Sequence, residues 1–212
     1  MANGQESASY IRPALHDAPK KVDPPTDGAL RHKGLDTSKI RSMGLNESCF
    51  PPSPKVIQAM QDNLSSVNLY PDAQCPRLSD IISARTGISQ ECIVWGNGSE
   101  ELLKGAIDLS VSPGEGLVLP TPTFWGYKSL VAAFEADVAE VENLPDGHTD
   151  IDGILSAIGN NTKIVFLITP NNPTGRMVDQ AGLEKIVAGV PDNVLLCVDE
   201  AYYDFGLHAG GP

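Results

Sequence analysis

The chain has 212 residues, 41% hydrophobic and 20% charged, a composition expected of a globular protein large enough to bury a core. Fifteen basic against 27 acidic residues give a net charge of −12, which excludes the broad basic face that non-specific nucleic-acid binding or an anionic membrane surface requires. Four widely spaced cysteines (Cys49, Cys75, Cys92, Cys197), with no CxxC and no clustered histidine, argue against a metal site or a disulfide framework and for a reducing, cytoplasmic setting.

The opening MANGQESASY lacks a charged segment leading into an apolar run, so no secretion signal is expected. No stretch approaches the roughly 18 apolar residues that a membrane-spanning helix needs. Residues 1–44 are polar and interrupted by Pro13, Pro19, Pro24 and Pro25, and are read as a partly disordered N-terminal arm with room for one short helix. The loop LNESCFPPSP (45–54) leads into PKVIQAMQDNL, where Ser53 is the expected N-cap and Pro54 the first helical residue. Val56, Ile57, Met60 and Leu64 share one face of that helix. NLYPDAQCP (68–76) reads as a second proline-bearing loop and RLSDIISART as a helix.

From residue 93 onward the pattern alternates. IVWG (93–96), LVLP (117–120), DVAEVE (137–142), KIVFLIT (163–169) and NVLLCVD (193–199) read as strands. SEELLKGAIDLS, FWGYKSLVAAFE, IDGILSAI and DQAGLEKIVAG read as the helices between them. Strands that are mostly apolar runs, separated by helices, predict an α/β fold of three layers, αβα, around a mostly parallel sheet. In such folds functional groups gather on the loops after the strands' carboxyl ends.

The loop GNGSEELL (96–103) offers either a capped turn or an anion cup built from Gly98, Ser99, Glu100 and the N–H groups opening a helix. It is neither a dinucleotide fingerprint nor a Walker loop. TPTFWGY (121–127) brings Phe124, Trp125 and Tyr127 together; at least one of the three is expected to pack a helix on the sheet, and Phe124 is the expected stacking face. TPNNPTG (169–175) fixes a turn with two prolines and a glycine and presents two asparagine amides. VLLCVDEAYYDF (194–205) reads as a central strand covered on both faces and ending in Asp199, a carboxylate that calls for a cationic partner. Anion cup, aromatic face, amide donor, buried carboxylate and phenol together suit a phosphorylated, planar, hydroxylated heteroaromatic cation such as pyridoxal 5′-phosphate.

Through LNES…PPSP, LYPD, GNGSEEL, PTFWGY, TPNNPTG and VDEAYYDF, in this order, residues 45–205 resemble the fold-type I pyridoxal-phosphate aminotransferases of class I/II, within them the histidinol-phosphate aminotransferase branch. The resemblance implies that Gly98, Ser99 and Glu100 hold the cofactor phosphate and that Phe124 stacks on the ring. It implies that Asn172 and Tyr202 meet the ring 3-oxygen and that Asp199 pairs with the protonated ring nitrogen. Asn46 and Glu47 match a loop that closes over substrate, and Tyr70 a residue that reaches a neighbouring subunit's site in a homodimer. Ser48, Cys49 and Pro51 depart from the family's loop. No lysine follows Asp199, and Lys163 and Lys185 are poor substitutes for the Schiff-base lysine. The chain is accordingly expected to be the N-terminal portion of the cofactor-binding large domain (45–212), without the C-terminal small domain and inactive by itself. The implied reaction passes an amino group from an amino acid or amino-alcohol phosphate to 2-oxoglutarate; a threonine-phosphate decarboxylase-like lyase and a non-catalytic fragment that keeps the cofactor cup are the alternatives.

Overall fold

The computed structural model describes Pro25 and residues 27–41 and 43–208. Most of the expected N-terminal arm, residues 1–24, lies outside the described residues. The chain divides into two compact units, Val22–Trp95 and one that holds Gly96–Pro212.

Val22–Trp95 is helical wherever it is regular. It carries α1 (Asp27–His32), α2 (Pro54–Asn63) and α3 (Pro76–Thr86), with short 3-10 turns at Thr37–Lys39, Leu64–Ser66 and Gln90–Cys92. Ser53 caps α2 by accepting from the Val56 N–H, and Pro54 occupies the first turn, where its missing N–H costs nothing. The expected strand at 93–96 is absent. A strand exists only through its ladder partners, and the described residues of this unit contain no other strand with which this short run could pair. The Ile93 N–H instead closes the 3-10 turn on the Gln90 carbonyl.

In the second unit, four parallel strands, β1 (Gly116–Thr121), β2 (Asp137–Glu142), β3 (Thr162–Ile168) and β4 (Leu195–Asp199), stand in the order β2-β1-β3-β4. Helices α4 (Ser99–Ser110), α5 (Gly126–Ala132), α6 (Ile151–Ser156) and α7 (Gln180–Gly189) alternate with them, and α8 (Tyr203–His208) follows β4. Successive residues of the inner strands point to opposite faces. Leu117, Leu119, Ile164, Phe166 and Ile168 pack with Leu103 and Ile107 of α4 and with Tyr127 and Val131 of α5. Val118, Val165 and Leu167 pack with Ile154 of α6 and Ile186 of α7. The sheet therefore has a core on each side, as the apolar run of KIVFLIT predicts.

The flanking strands differ. β2 pairs only with β1, and β4 pairs only with β3, in register from Ile164↔Leu195 to Ile168↔Asp199, so each forms an edge of the described sheet. Leu195 and Val198 remain 47% and 39% exposed. The expectation of a central strand covered on both faces is corrected here: an apolar run states what its side chains would bury against, while neighbours decide whether they do. No described helix is long and apolar enough to cross a membrane.

The connections place one end of this sheet in functional position. β1 leads to β2 on one side and β3 leads to β4 on the other, so the strand order switches between the adjacent β1 and β3. Beyond the carboxyl ends of such a pair, the loops diverge and leave a crevice.

Candidate functional site

Three loops and one helix start converge on that crevice. After β1, Phe124 folds back across the start of α5. A Cβ on Gly126 would stand 2.2 Å from Phe124 Cε1, so only glycine allows this approach of the ring. Phe124 is half-buried, and its ring lies 5.2 Å from that of Trp125 in a tilted pair.

After β3, the turn Thr169–Gly175 is tied down by Asn171, which is buried. Its Oδ1 accepts from Thr123 Oγ1 (2.8 Å), and its Nδ2 donates to the Pro122 carbonyl (3.0 Å) and to Thr174 Oγ1 (3.1 Å). Its backbone carbonyl accepts from the Gly175 N–H at 2.7 Å. One amide side chain thus fastens the β1 loop to the β3 loop with its bonding capacity well used. The neighbouring Asn172 is left to face the crevice, its Nδ2 donating to Tyr202 Oη at 3.4 Å. Thr169 locks the base of the turn by accepting from the buried Val178 N–H at 3.0 Å.

At the end of β4, the Asp199 carboxylate is held at both oxygens. Oδ1 accepts from the Ala201 N–H at 3.0 Å, and Oδ2 accepts from the Tyr127 hydroxyl at 2.7 Å. Burial first, then the Asp199 charge, push the Tyr127 phenol well above its ordinary range, so it stays protonated and donates. Cys197, two residues earlier on the same strand, has its thiol pushed up to about 11 by burial and then by Asp199.

The fourth wall is the start of α4. Gly98, at φ +86°, turns the chain into the helix, and no side chain caps it. The N–H groups of the first turn therefore face outward with the positive end of the helix dipole. Glu101, not Glu100, reaches back to the Asn97 N–H. A carboxylate at Glu100 suits the dipole but shares its sign with any incoming anion, so the backbone amides and the Ser99 hydroxyl are the groups fit to receive one.

These walls enclose a cavity of about 150 Å³ lined by Ser99, Glu100, Leu103, Phe124, Ile168, Asn172, Asp199, Ala201 and Tyr202. Six residues singled out in the sequence, Ser99, Glu100, Phe124, Asn172, Asp199 and Tyr202, are thereby brought together, with Gly98 adjacent. Asn46, Glu47 and Tyr70 belong to the Val22–Trp95 unit, where all three are exposed. Sequence reasoning counted Asn171 only as one of two amides in its turn, and gave Tyr127 no role beyond its place in an aromatic cluster. A hydroxyl that reappears three residues after the stacking aromatic, at a helix start, was the available signal. A wider hollow of about 450 Å³ in the Val22–Trp95 unit is lined by Gln74, Ser79, Gln90, Glu91 and Trp95 among others. Its buried Ser79 hydroxyl is already committed to the Gln74 carbonyl and to Trp95 Nε1. Size does not make it the chemical site.

Comparison with known proteins gives the family. The family described as aminotransferase class I and II matches residues 38–210. The histidinol-phosphate aminotransferase of Anoxybacillus flavithermus is 35% identical over 187 residues, 88% of this chain and 50% of that protein. Its counterpart in Moorella thermoacetica is 33% identical over 208 residues, 95% of this chain and 53% of the relative. The crystal structure of histidinol-phosphate aminotransferase from Sinorhizobium meliloti, in complex with pyridoxal-5′-phosphate, superposes with a TM-score of 0.81 at 26% identity, covering 94% of this chain and 53% of that one. The chain spans about half the length of the curated relatives it matches.

Proposed function

This chain belongs to the aminotransferases of class I and II, and on that premise we propose that its crevice binds pyridoxal 5′-phosphate for transamination of a phosphorylated amino compound of the histidinol-phosphate kind, with 2-oxoglutarate as acceptor. The observation that carries the reading is the convergence of Asp199, Asn172, Tyr202, Phe124 and the uncapped start of α4 on one cavity. The donor set fits the cofactor: amides for a phosphate, an aromatic face for a ring, an amide and a phenol for a ring oxygen, a carboxylate for a ring cation. When bound, the cofactor supplies a ring that accepts the electrons released at the substrate Cα.

The chain's own residues would divide the work as follows. The first-turn amides of α4 and the Ser99 hydroxyl hold the phosphate. Phe124 covers one face of the ring and excludes water from it. Asn172 and Tyr202, already neighbours, present the amide and the hydroxyl to the 3-oxygen. Asp199 holds the proton at the ring nitrogen, because an anion beside a cation favours the charged form. Among the described residues no lysine or arginine lines the cavity, and no lysine follows Asp199 in the sequence. We therefore assign cofactor binding and ring orientation to these 212 residues, and turnover to a polypeptide that also supplies a lysine.

The identity of the amino donor rests on the histidinol-phosphate relatives. Ser48, Cys49 and Pro51, where the substrate loop departs from the family, are the positions at which a different donor would be selected. The test is a titration of the 212-residue chain with pyridoxal phosphate, followed by the cofactor's absorbance. Saturable binding is expected, and Asp199→Ala should weaken it about 10- to 100-fold, since a charged hydrogen-bonded pair is lost. The melting temperature should stay within a few degrees. Absence of binding, or an Asp199→Ala chain that binds as tightly as wild type, would overturn the reading.

A further inference from the structure

A carboxylate can serve a ring nitrogen only if it is aimed. Among the described residues β4 has a sheet neighbour on one side only, so the side chain of Asp199 is fixed from elsewhere. What fixes it is Tyr127. The tyrosine is fully buried, and its ring meets Phe166 of the inner strand β3 edge-on, with centroids 5.1 Å apart and planes at 63°. The ring is thus seated in the same core that anchors α4 and α5, and its hydroxyl position is a property of that core. From there it donates to Asp199 Oδ2 at 2.7 Å while the Ala201 N–H takes Oδ1. Two donors on two oxygens, one from a helix and one from the chain just after β4, set the plane of the carboxylate, and the carboxylate still lines the cavity.

The two groups beside Asp199 are also electrically quiet. Burial keeps the Tyr127 phenol protonated, so it can only donate, and the Cys197 thiol, pushed up to about 11, adds no second negative charge. The pair is therefore arranged as an anion with one neutral donor behind it and one face toward the cavity. Such a carboxylate is prepared for a cation before the cation arrives.

We propose that Tyr127 is a positioning residue: by tethering Asp199 to the core, it aims the carboxylate at a protonated ring nitrogen in the cavity, and so lets the site tell such a ring from one with carbon at that place. This rests on the cofactor reading above and goes beyond it in assigning discrimination at the ring nitrogen to a residue that touches no ligand. Tyr127 does not reach the ring; it acts through Asp199.

The experiment compares two ligands on four proteins. Pyridoxal phosphate and its analogue with CH in place of the ring nitrogen are titrated into wild type, Tyr127→Phe, Asp199→Ala and the double variant. Binding is followed by ligand absorbance and by quenching of tryptophan fluorescence, to which Trp125 contributes with its ring 5.2 Å from that of the cavity-lining Phe124. Wild type should prefer pyridoxal phosphate over the analogue by about tenfold, the scale of one hydrogen bond to a charged group. Tyr127→Phe keeps the ring that packs on Phe166 and removes only the hydroxyl. It should lose about 5- to 10-fold for pyridoxal phosphate and less than about twofold for the analogue, because only the former uses the aimed carboxylate. In the Asp199→Ala background the same change should cost less than about twofold for either ligand.

Equal weakening for both ligands, or none, would show that the hydroxyl merely supports the fold and would overturn the inference while leaving the cofactor reading intact. A Tyr127→Phe chain that no longer folds would overturn it in the same way. Wild type that binds both ligands alike would overturn the role of Asp199 itself, and this inference with it.

Discussion

α2 and α4 look alike in sequence: each is ten to twelve residues long and carries an apolar stripe. Their fates differ. Leu103 and Ile107 of α4 are buried against β1 and β3. Val56, Ile57, Met60 and Leu64 along α2 and its 3-10 extension are all exposed, and α2 buries no residue. An amphipathic stripe records a demand for a covering surface; the parallel sheet meets that demand for α4, and no described residue meets it for α2. The same division runs through the two units. Gly96 onward carries two side-chain cores and the cavity, whereas in Val22–Trp95 Met43, Phe50, Val67 and Leu69 are exposed.

The sharpest test of this contrast is a pair of truncations. Phe166→Ala, at a fully buried position between β1 and β4, should cost about 3–5 kcal/mol in urea unfolding, whereas Met60→Ala, 64% exposed, should stay within about 0.5 kcal/mol. A loss at Met60 as large as that at Phe166 would mean that α2 is covered in solution, and would erase the distinction.

Next in size is a chemical comparison of thiols. Cys49 and Cys92 are exposed in the helical unit, while Cys197 is partly buried in β4. With its thiol pushed up to about 11, Cys197 should label about 10- to 100-fold more slowly at pH 8 than an ordinary thiol, because its smaller thiolate fraction outweighs the greater reactivity of each thiolate. The sign is plain: a raised pKa makes the thiol a weaker acid, so the neutral form dominates at pH 8 and reactivity returns only as pH rises toward 11. Mass spectrometry of timed iodoacetamide labelling reads the order directly.

Smaller effects follow at single hydrogen bonds. Thr169→Val keeps the shape but strands the buried Val178 N–H, at about 1–3 kcal/mol. Asp179→Ala removes the cap of α7, which accepts from the Gly182 N–H at 2.8 Å, at about 1 kcal/mol. Ser53→Ala removes the equivalent cap from α2. Because α2 buries nothing, its loss should appear as reduced local hydrogen-exchange protection and leave the global unfolding midpoint where it was.

The alternation of apolar strands and helices was readable from residue 116 onward because parallel strands covered on both faces impose a signature that few other structures need. LVLP, DVAEVE and KIVFLIT fall within a residue or two of β1, β2 and β3, and Ser53 and Pro54 mark the start of α2 by capping chemistry that acts locally. IVWG misled because four apolar residues state a preference that only a partner strand can realise. At the site, Phe124, Asn172, Asp199 and Tyr202 could be named because each follows a strand, and strands run parallel. Asn171 and Tyr127 could not be ranked in the same way, since both work through bonds to residues 48 and 72 positions away.

What the sequence determined by itself is therefore the class of fold, the caps and the set of chemical groups, all of which depend on neighbours within a few residues. Only the tertiary structure decided which apolar faces are covered, that β4 stands at an edge of the described sheet, and that, among the described residues, the phenol of Tyr127 holds Asp199. The physical reason is the range of the interactions: capping and periodicity are set within a turn or two, while burial and the orientation of a carboxylate are set by side chains that meet only after the chain has closed on itself.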